Sequence, residues 1–241
     1  MDFKKINSID INDQNTWKDS VFLTIDIDWA NDGVINHMLD LIEKAGVNCT
    51  IFVTHQTPVL ERMRKMENIE LGIHPNFNFL LNGDQRFGKT AYEVVNYFKA
   101  IVPEAVSARS HSIAQGSVIY DAFINNGIQF DCNSFIPSYT NIELKPWKED
   151  FDLIKVPYFW ADDLHMEIED GFEIDSLLKT KGLKVLDVHP IHIYLNTEKN
   201  KRYDKARPYL DNFRKLKDFV NHERYGTGDF FKKLISKGHL S

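Results

Sequence analysis

Two aspartates separated by one isoleucine, Asp26 and Asp28, close the apolar run that begins at Val21. Side chains alternate across a strand, so these two carboxyls share one face while Ile25 and Ile27 take the other. Residues of the same kind end other apolar runs: His74, Arg109 with His111 just beyond it, Asp131, and the group Asp187, His189 and His192. Taken singly, each has a structural explanation, since a strand-end Asp caps turns and a lone His or Arg is commonly satisfied by a hydrogen bond or an ion pair. Taken together they point to one polar site, because buried charges pair with one another or bind a metal. Asp and His are the oxygen and nitrogen ligands of a zinc-like divalent ion. The run His74-Pro-Asn-Phe-Asn78 sets two potential ligands four residues apart, on one side of a helical turn. A second carboxylate beside such a metal accepts a proton from water, and an imidazole opposite returns one to a leaving group.

Such residues need strands that end at a common edge. Short apolar runs over Val21–Ile27, Cys49–Thr54, Ile69–His74, Ala105–Arg109, Ile128–Cys132, Leu153–Phe159 and Leu183–Ile193 predict strands. Helical spacing over Val34–Ala45, with Asp32 as the cap and Gly46 as the stop, fills the first gap. Helices are also predicted over Pro58–Met66, Ala91–Ile101, Ser117–Asn125 and Ile174–Lys181, and in the tail over Tyr209–Val220 and Asp229–Lys237. Strands alternating with helices imply βα units in an α/β fold, with a mainly parallel sheet and ligands at the carboxyl ends of the strands. The pattern alone does not separate an open sheet from a barrel. The segment Phe77–Gly88, with Gly83 and Gly88, reads as a mobile loop able to cover the site.

Composition narrows the chemistry. The 241 residues are 43% hydrophobic and 27% charged, enough for a full core, and no internal repeat interrupts them. A net charge of −6 without a basic stripe argues against nucleic acid as a partner. Cys49 and Cys132 are far apart, so neither a disulfide framework nor a thiolate zinc site is expected. Neither a signal core at the start nor a transmembrane run is visible, and the expected location is cytoplasmic. Neither a G-x-S-x-G elbow nor a glycine-rich phosphate loop occurs.

With those residues in order, the chain resembles the polysaccharide deacetylase (NodB-homology) family. Thr24-Ile-Asp26-Ile-Asp28 is similar to its first motif and His74-Pro-Asn-Phe-Asn78 to its second, usually His-x-x-x-His. Arg109-Ser-His111 resembles the third, Val156-Pro-Tyr-Phe-Trp160 the supporting strand, and Leu186-Asp-Val-His189 the fifth. Asp-Ile-Asp-Trp-Ala and His-Pro-Ile-His-Ile-Tyr-Leu-Asn look closest to the WbmS-like branch, which is linked to O-antigen sugars. The resemblance implies a distorted (β/α) barrel of about seven mainly parallel strands. It implies one catalytic domain over 1–241, with its core at about 21–193 and a helical tail at 206–241. Asn78 and His111 depart from the family pattern, which has His and Pro there.

The implied activity is metal-dependent N-deacetylation of an N-acetylated sugar, a small molecule such as a nucleotide-linked sugar or a lipid-linked one, in surface polysaccharide biosynthesis, with the oligomeric state left open. Asp26 is the implied base, Arg109 its ion-pair partner, and His189 the general acid. Asp28, His74 and either Asn78 or His111 are the implied ligands of a divalent metal, zinc before cobalt, nickel or manganese. Asp187 or His192 orients His189. Trp29, Asn76, Phe77, Trp160 and His192 are expected against the sugar, with Phe79 and Phe159 as further aromatic candidates. Three other assignments use the same residues: a sugar-binding protein with a degenerate metal site, an amidohydrolase for a small non-sugar amide, and a metal-free glycosidase pairing Asp26 with Asp131 or Asp187.

Overall fold

The computed structural model describes residues 1–149, 152–168 and 174–240; Ser241, the end of the expected tail, lies outside the described residues. Nine strands form one sheet among them: β1 (Val21–Asp26), β2 (Cys49–Val53), β3 (Ile69–Ile73), β4 (Ser107–Ala108), β5 (Phe130–Asp131), β6 (Trp147–Lys148), β7 (Ile154–Lys155), β8 (Trp160–Ala161) and β9 (Lys184–Val188). Their spatial order is β6-β7-β5-β4-β3-β2-β1-β9-β8, and only the β6–β7 pair is antiparallel. The sheet curls until β5 and β8 nearly meet. A parallel bridge between Phe135 and Tyr158 spans the gap, with Tyr158 N donating to Ser134 O at 3.0 Å and Ile136 N to Tyr158 O at 2.9 Å. The expected distorted barrel is therefore present as a curled sheet: β7 pairs with β5, the same segment runs on through Tyr158 into β8 beside β9, and β6 adds an antiparallel strand outside β7.

The helices are α1 (Asp32–Ala45), α2 (Leu60–Lys65), α3 (Asn78–Leu81), α4 (Ala91–Ile101), α5 (Ser117–Asn125), α6 (Asp162–Ile168), α7 (Ile174–Leu178), α8 (Pro190–Leu195), α9 (Asn200–Ala206), α10 (Phe213–Leu216) and α11 (Thr227–Ser236). Among the described residues no helix is long and apolar enough to cross a membrane. The amphipathic pattern of α1 buries Val34, Ile35, Met38, Leu39 and Ile42. Its cap is Asn31 rather than Asp32: Asn31 Oδ1 accepts from Gly33 N and Val34 N, both at 3.1 Å. Asp32 sits inside the first turn and accepts from Thr57 Oγ1 at 2.5 Å.

Proline redraws two predicted strands. Leu183–Ile193 stops as a strand at Val188 because Pro190 lacks the N–H of a ladder and starts α8 instead. Leu153–Phe159 breaks in the same way at Val156-Pro157 and resumes as β8 beside β9. The expected mobile loop, Phe77–Gly88, contains α3 and is tied together by ring contacts. Phe79 meets Phe87 at 5.3 Å, and the Arg86 guanidinium lies 4.0 Å above the Phe79 ring.

The ladder also levels the strand ends. Ile25 pairs with Val188, so Asp26 and His189 leave their strands side by side. Val53 pairs with Ile73 and Ile73 with Ala108, which sets His74 and Arg109 one step beyond the sheet on the same edge.

Candidate active site

Three side chains converge beyond β1, β3 and β4. Asp28 Oδ1 stands 3.3 Å from His74 Nε2 and 3.4 Å from His111 Nδ1, and the two imidazole nitrogens are 3.4 Å apart. Ligands at about 2.0–2.1 Å round a tetrahedral ion stand about 3.3 Å from one another, so this triangle has the edge length a divalent metal requires. Asp28 Oδ1 is buried and has no hydrogen-bond partner among the described residues, an unmet acceptor of the kind a cation satisfies. His74 turns its other nitrogen, Nδ1, toward Asp26 Oδ2 at 3.5 Å, the carboxylate-behind-imidazole arrangement that orients metal ligands. Burial works against the Asp28 charge, but His111, His74 and His189 outweigh it and hold this carboxyl well below the usual range.

The turns that present these groups are strained. Asp28 and Trp29 have φ of 36° and 55°, and Ser112 and Ile113, just after His111, have 57° and 49°. Left-handed backbone costs a non-glycine residue about 1–2 kcal/mol. Hydrogen bonds hold both turns in place: Trp29 N donates to Thr54 Oγ1 at 3.0 Å, and His111 N to Pro75 O at 2.9 Å.

Below the triangle, Arg109 is buried among two carboxyls. Its Nη1 donates to Asp26 Oδ1 at 3.1 Å and to Asp187 Oδ1 at 2.5 Å, Nη2 to Thr24 Oγ1 at 2.9 Å, and Nε to Cys132 O at 3.1 Å. The rings of Tyr158 and Phe52 flank it at 4.5 and 4.9 Å. Burial pushes Asp187 well above the ordinary carboxylate range, against the pull of Arg109.

On the opposite side His189 points Nε2 at Asp28 Oδ2, 3.6 Å away. Its Nδ1 lies 2.7 Å from Asp162 Oδ1, and its backbone N donates to Asp162 Oδ2 at 2.9 Å. Burial disfavours a charged imidazole here, yet Asp162, with Asp163 and Asp28 behind it, raises His189 well above its ordinary value. Asp162 thus occupies the orienting position for which the sequence offered Asp187 or His192. Asp187 faces Arg109 instead, and His192 Nδ1 meets Thr197 Oγ1 at 3.2 Å. Sequence inspection missed Asp162 because Leu153–Phe159 read as one strand. The short run Trp160-Ala161 followed by two aspartates was the available signal.

A cavity of about 210 Å³ joins these groups, lined by Asp26, Asp28, His74, Arg109, His111 and His189 among others. The other expected residues fall as follows. Asn78 does not share a helical turn with His74, because residues 74–77 are not helical and α3 begins only at Asn78; its Nδ2 donates to Ser112 Oγ at 3.1 Å. Asn76 is buried and accepts from Asn78 N at 3.0 Å. Phe77 is buried against Phe123, and Trp160 is buried and stacks on Phe230 at 4.6 Å, so both pack in the interior rather than against the cavity. Phe79 packs on Phe87, and Phe159 is buried. Trp29 is 38% exposed and stands edge-on to His111 at 4.9 Å. Asp131 pairs with Lys155 at 2.5 Å, away from the cavity.

A family model described as WbmS-like polysaccharide deacetylase matches residues 23–207. The chain is 39% identical to a protein from Bordetella bronchiseptica assigned as a polysaccharide deacetylase involved in O-antigen biosynthesis. That crystal structure superposes with a TM-score of 0.91 over 98% of each chain. A family 4 carbohydrate esterase from Streptomyces lividans, in complex with acetate, is 12% identical with a TM-score of 0.41 over 70% of this chain and 78% of that one. A search of curated proteins gave no match.

Proposed function

The chain belongs to the WbmS-like polysaccharide deacetylase family, and from that premise we propose that it is a metal-dependent N-deacetylase. Its substrate is an N-acetylated sugar, carried on a nucleotide or a lipid, in the synthesis of an O-antigen-like surface polysaccharide. A cytoplasmic site of action belongs to the same proposal, since carrier-linked sugars are available there. The observation that carries it is the triangle of Asp28 Oδ1, His74 Nε2 and His111 Nδ1, whose edges of 3.3 to 3.4 Å suit one divalent ion. In this assignment His111 supplies the imidazole that the family usually places at the position of Asn78.

Asp28, His74 and His111 would hold a divalent metal, zinc above all, which would supply polarisation of the acetamide carbonyl and a more acidic water. The protein's own groups do the rest. Asp26, fixed through Oδ1 by Arg109, takes the proton as the water oxygen bonds to the amide carbon. His189, kept protonated by Asp162, gives its proton to the nitrogen as the C–N bond breaks. Acetate and the free amino sugar leave. Trp29 and His192, at the edge of the site, are the residues assigned to hold the sugar.

Zinc titration by calorimetry tests the assignment. One ion should bind per chain, and His111→Ala should weaken binding by more than about tenfold while the fold persists. If the wild-type chain bound neither zinc, cobalt nor nickel, the proposal would fail.

A further inference from the structure

The mouth of the catalytic cavity has two unlike sides. Beyond β1 and β9, a further cavity beside His189 is lined by Asp163, Glu167 and Asp204. The other side is made by the segments that follow β3, β4 and β5 at their carboxyl ends, residues 75–83, 110–120 and 132–142. None of the three contains an Asp, Glu, Lys or Arg, in a chain that is 27% charged. The same segments hold every exposed aliphatic side chain among the described residues: Leu81 at 74%, Val118 at 69%, Ile142 at 57% and Ile113 at 40%. Tyr139 adds an aromatic ring at 64%. Elsewhere only Trp29 and four tyrosines are large, hydrophobic and exposed among the described residues, and each carries a polar atom of its own.

The three segments form one surface. Asn78 Nδ2, at the start of α3, donates to Ser112 Oγ at 3.1 Å and joins the first segment to the second. Ser110 N donates to Asn133 Oδ1 at 2.7 Å and joins the second to the third. Ile113 borders the catalytic cavity. Ala161 and Leu164 line that cavity and also a shallow groove that reaches Phe135, Pro137 and Tyr139. An uncharged, partly apolar surface therefore runs along one side of the open mouth.

Exposed apolar side chains in a charge-depleted patch mark an interaction surface. Two features say what covers this one. It adjoins the opening through which substrate enters, so a bulky protein seated there would obstruct the site. It also lacks both signs of charge: nothing in it attracts phosphates, and no ion in it has to be stripped of water on entering an apolar phase. The boundary between headgroups and acyl chains of a lipid leaflet meets both conditions, because it accepts aliphatic and aromatic side chains and presents carrier headgroups beside the mouth.

We propose that this side of the rim rests on a lipid bilayer, with Leu81, Val118 and Tyr139 entering the leaflet, so that the catalytic cavity faces sugars held on a lipid carrier. The inference rests on the deacetylase assignment for the reaction in the cavity, and of the two carriers named there it selects the lipid. The acidic side of the mouth stays in water. Association is therefore hydrophobic: it needs no anionic lipid, and salt does not weaken it.

Co-flotation with phosphatidylcholine vesicles tests this. The wild-type chain should float with the vesicles no less in about 1 M than in about 0.1 M sodium chloride. The triple variant Leu81→Ser, Val118→Ser, Tyr139→Ser should partition at least about tenfold more weakly. Tyr92→Ser, an exposed change on α4, should stay within about twofold of wild type. All the replaced side chains are exposed, so the variants should fold, as thermal unfolding would verify. A wild-type chain that does not float, one that floats only with added phosphatidylglycerol or only at low salt, or a triple variant that floats as well as wild type overturns the inference. Self-association that the triple variant abolishes, without flotation, would give the surface to a second copy of this chain instead. The zinc titration reads the deacetylase assignment separately. A chain that floats but binds no metal loses that assignment and keeps the docking surface; one that binds zinc but does not float loses only the docking surface.

Discussion

Two buried charge clusters lie at neighbouring strand ends, and in the sequence they look alike. Around Arg109 one guanidinium serves two carboxyls, Asp26 and Asp187, from β1 and β9. Around Asp131 one carboxylate meets one ammonium, Lys155, at 2.5 Å. Its other oxygen accepts from Asn133 N and Nδ2, at 3.0 and 2.5 Å, and Asn133 Oδ1 in turn accepts from Ser110 N at 2.7 Å. The second cluster is balanced one to one and its bonds are filled, so it pins the chain that leads from Arg109 to His111. The first has more carboxyls than cations and borders a cavity. A buried charge that is fully matched is a strut, and one that shares its partner and faces open space is available for chemistry.

Removing one carboxylate from each cluster gives the largest contrast. Asp26→Asn should lower kcat/KM for acetate release by roughly 10³-fold, within the usual range for a general base, with a smaller loss of stability because Asp187, Thr24 and the Cys132 carbonyl still accept from Arg109. Asp131→Asn should cost about 3–5 kcal/mol of unfolding free energy, since it leaves Lys155 buried and uncompensated. At temperatures where this variant stays folded, its turnover should remain near wild type. Denaturant unfolding alongside an acetate assay checks both. Equal turnover loss in the two variants at full folding would erase the distinction between site and strut, and it would revive the glycosidase pairing of Asp26 with Asp131.

The sequence showed the first cluster well and the second poorly. Period-two patterning and apolar runs place Asp26, Asp28, His74, Arg109 and His189 at strand ends, because parallel βα units leave those ends at one edge. It could not say which strand ends face inward. Ala105–Arg109 and Ile128–Cys132 each keep only two ladder residues, so Asp131 and Arg109 point to different neighbours despite similar contexts. Asp162 was hidden by the break at Pro157. Tyr203 and Asp204, which line a further cavity beside His189, were beyond reach, since α9 lies more than ten residues past His189 and carries no strand-end signature.

Asp162 sharpens the contrast from the other side, because it too is a matched buried carboxylate, but its partner lies in the cavity. Its charge raises His189 well above the ordinary imidazole value, in spite of burial. A raised value means the proton is held below that pKa and lost above it, so acid catalysis by His189 should fade only as pH rises through it. The folded chain gains stability from the pair below the unfolded imidazole pKa of about 6.5, and that gain is lost as pH rises through the folded value. Asp162→Asn should shift the alkaline limb of kcat/KM to lower pH and reduce the rate above neutrality on the order of tenfold. An alkaline limb that stays where it was would assign the titrating group to some other residue.

The smallest effect is expected at Asn78, which the sequence grouped with the ligands and the fold groups with neither cluster. Its side chain bonds to Ser112 Oγ at the surface, and it is not among the residues lining the cavity that Asp28, His74 and His111 share. Asn78→Ala should change stability by no more than about 0.5 kcal/mol and zinc affinity by less than about threefold. Asn78→His, which restores the family's usual residue, should gain nothing for the same geometric reason: His111 already fills the third corner, 3.4 Å from both Asp28 Oδ1 and His74 Nε2. If Asn78→His tightened zinc binding tenfold or more, α3 would have to reach the metal. His111 would then be a neighbour of the site rather than one of its ligands.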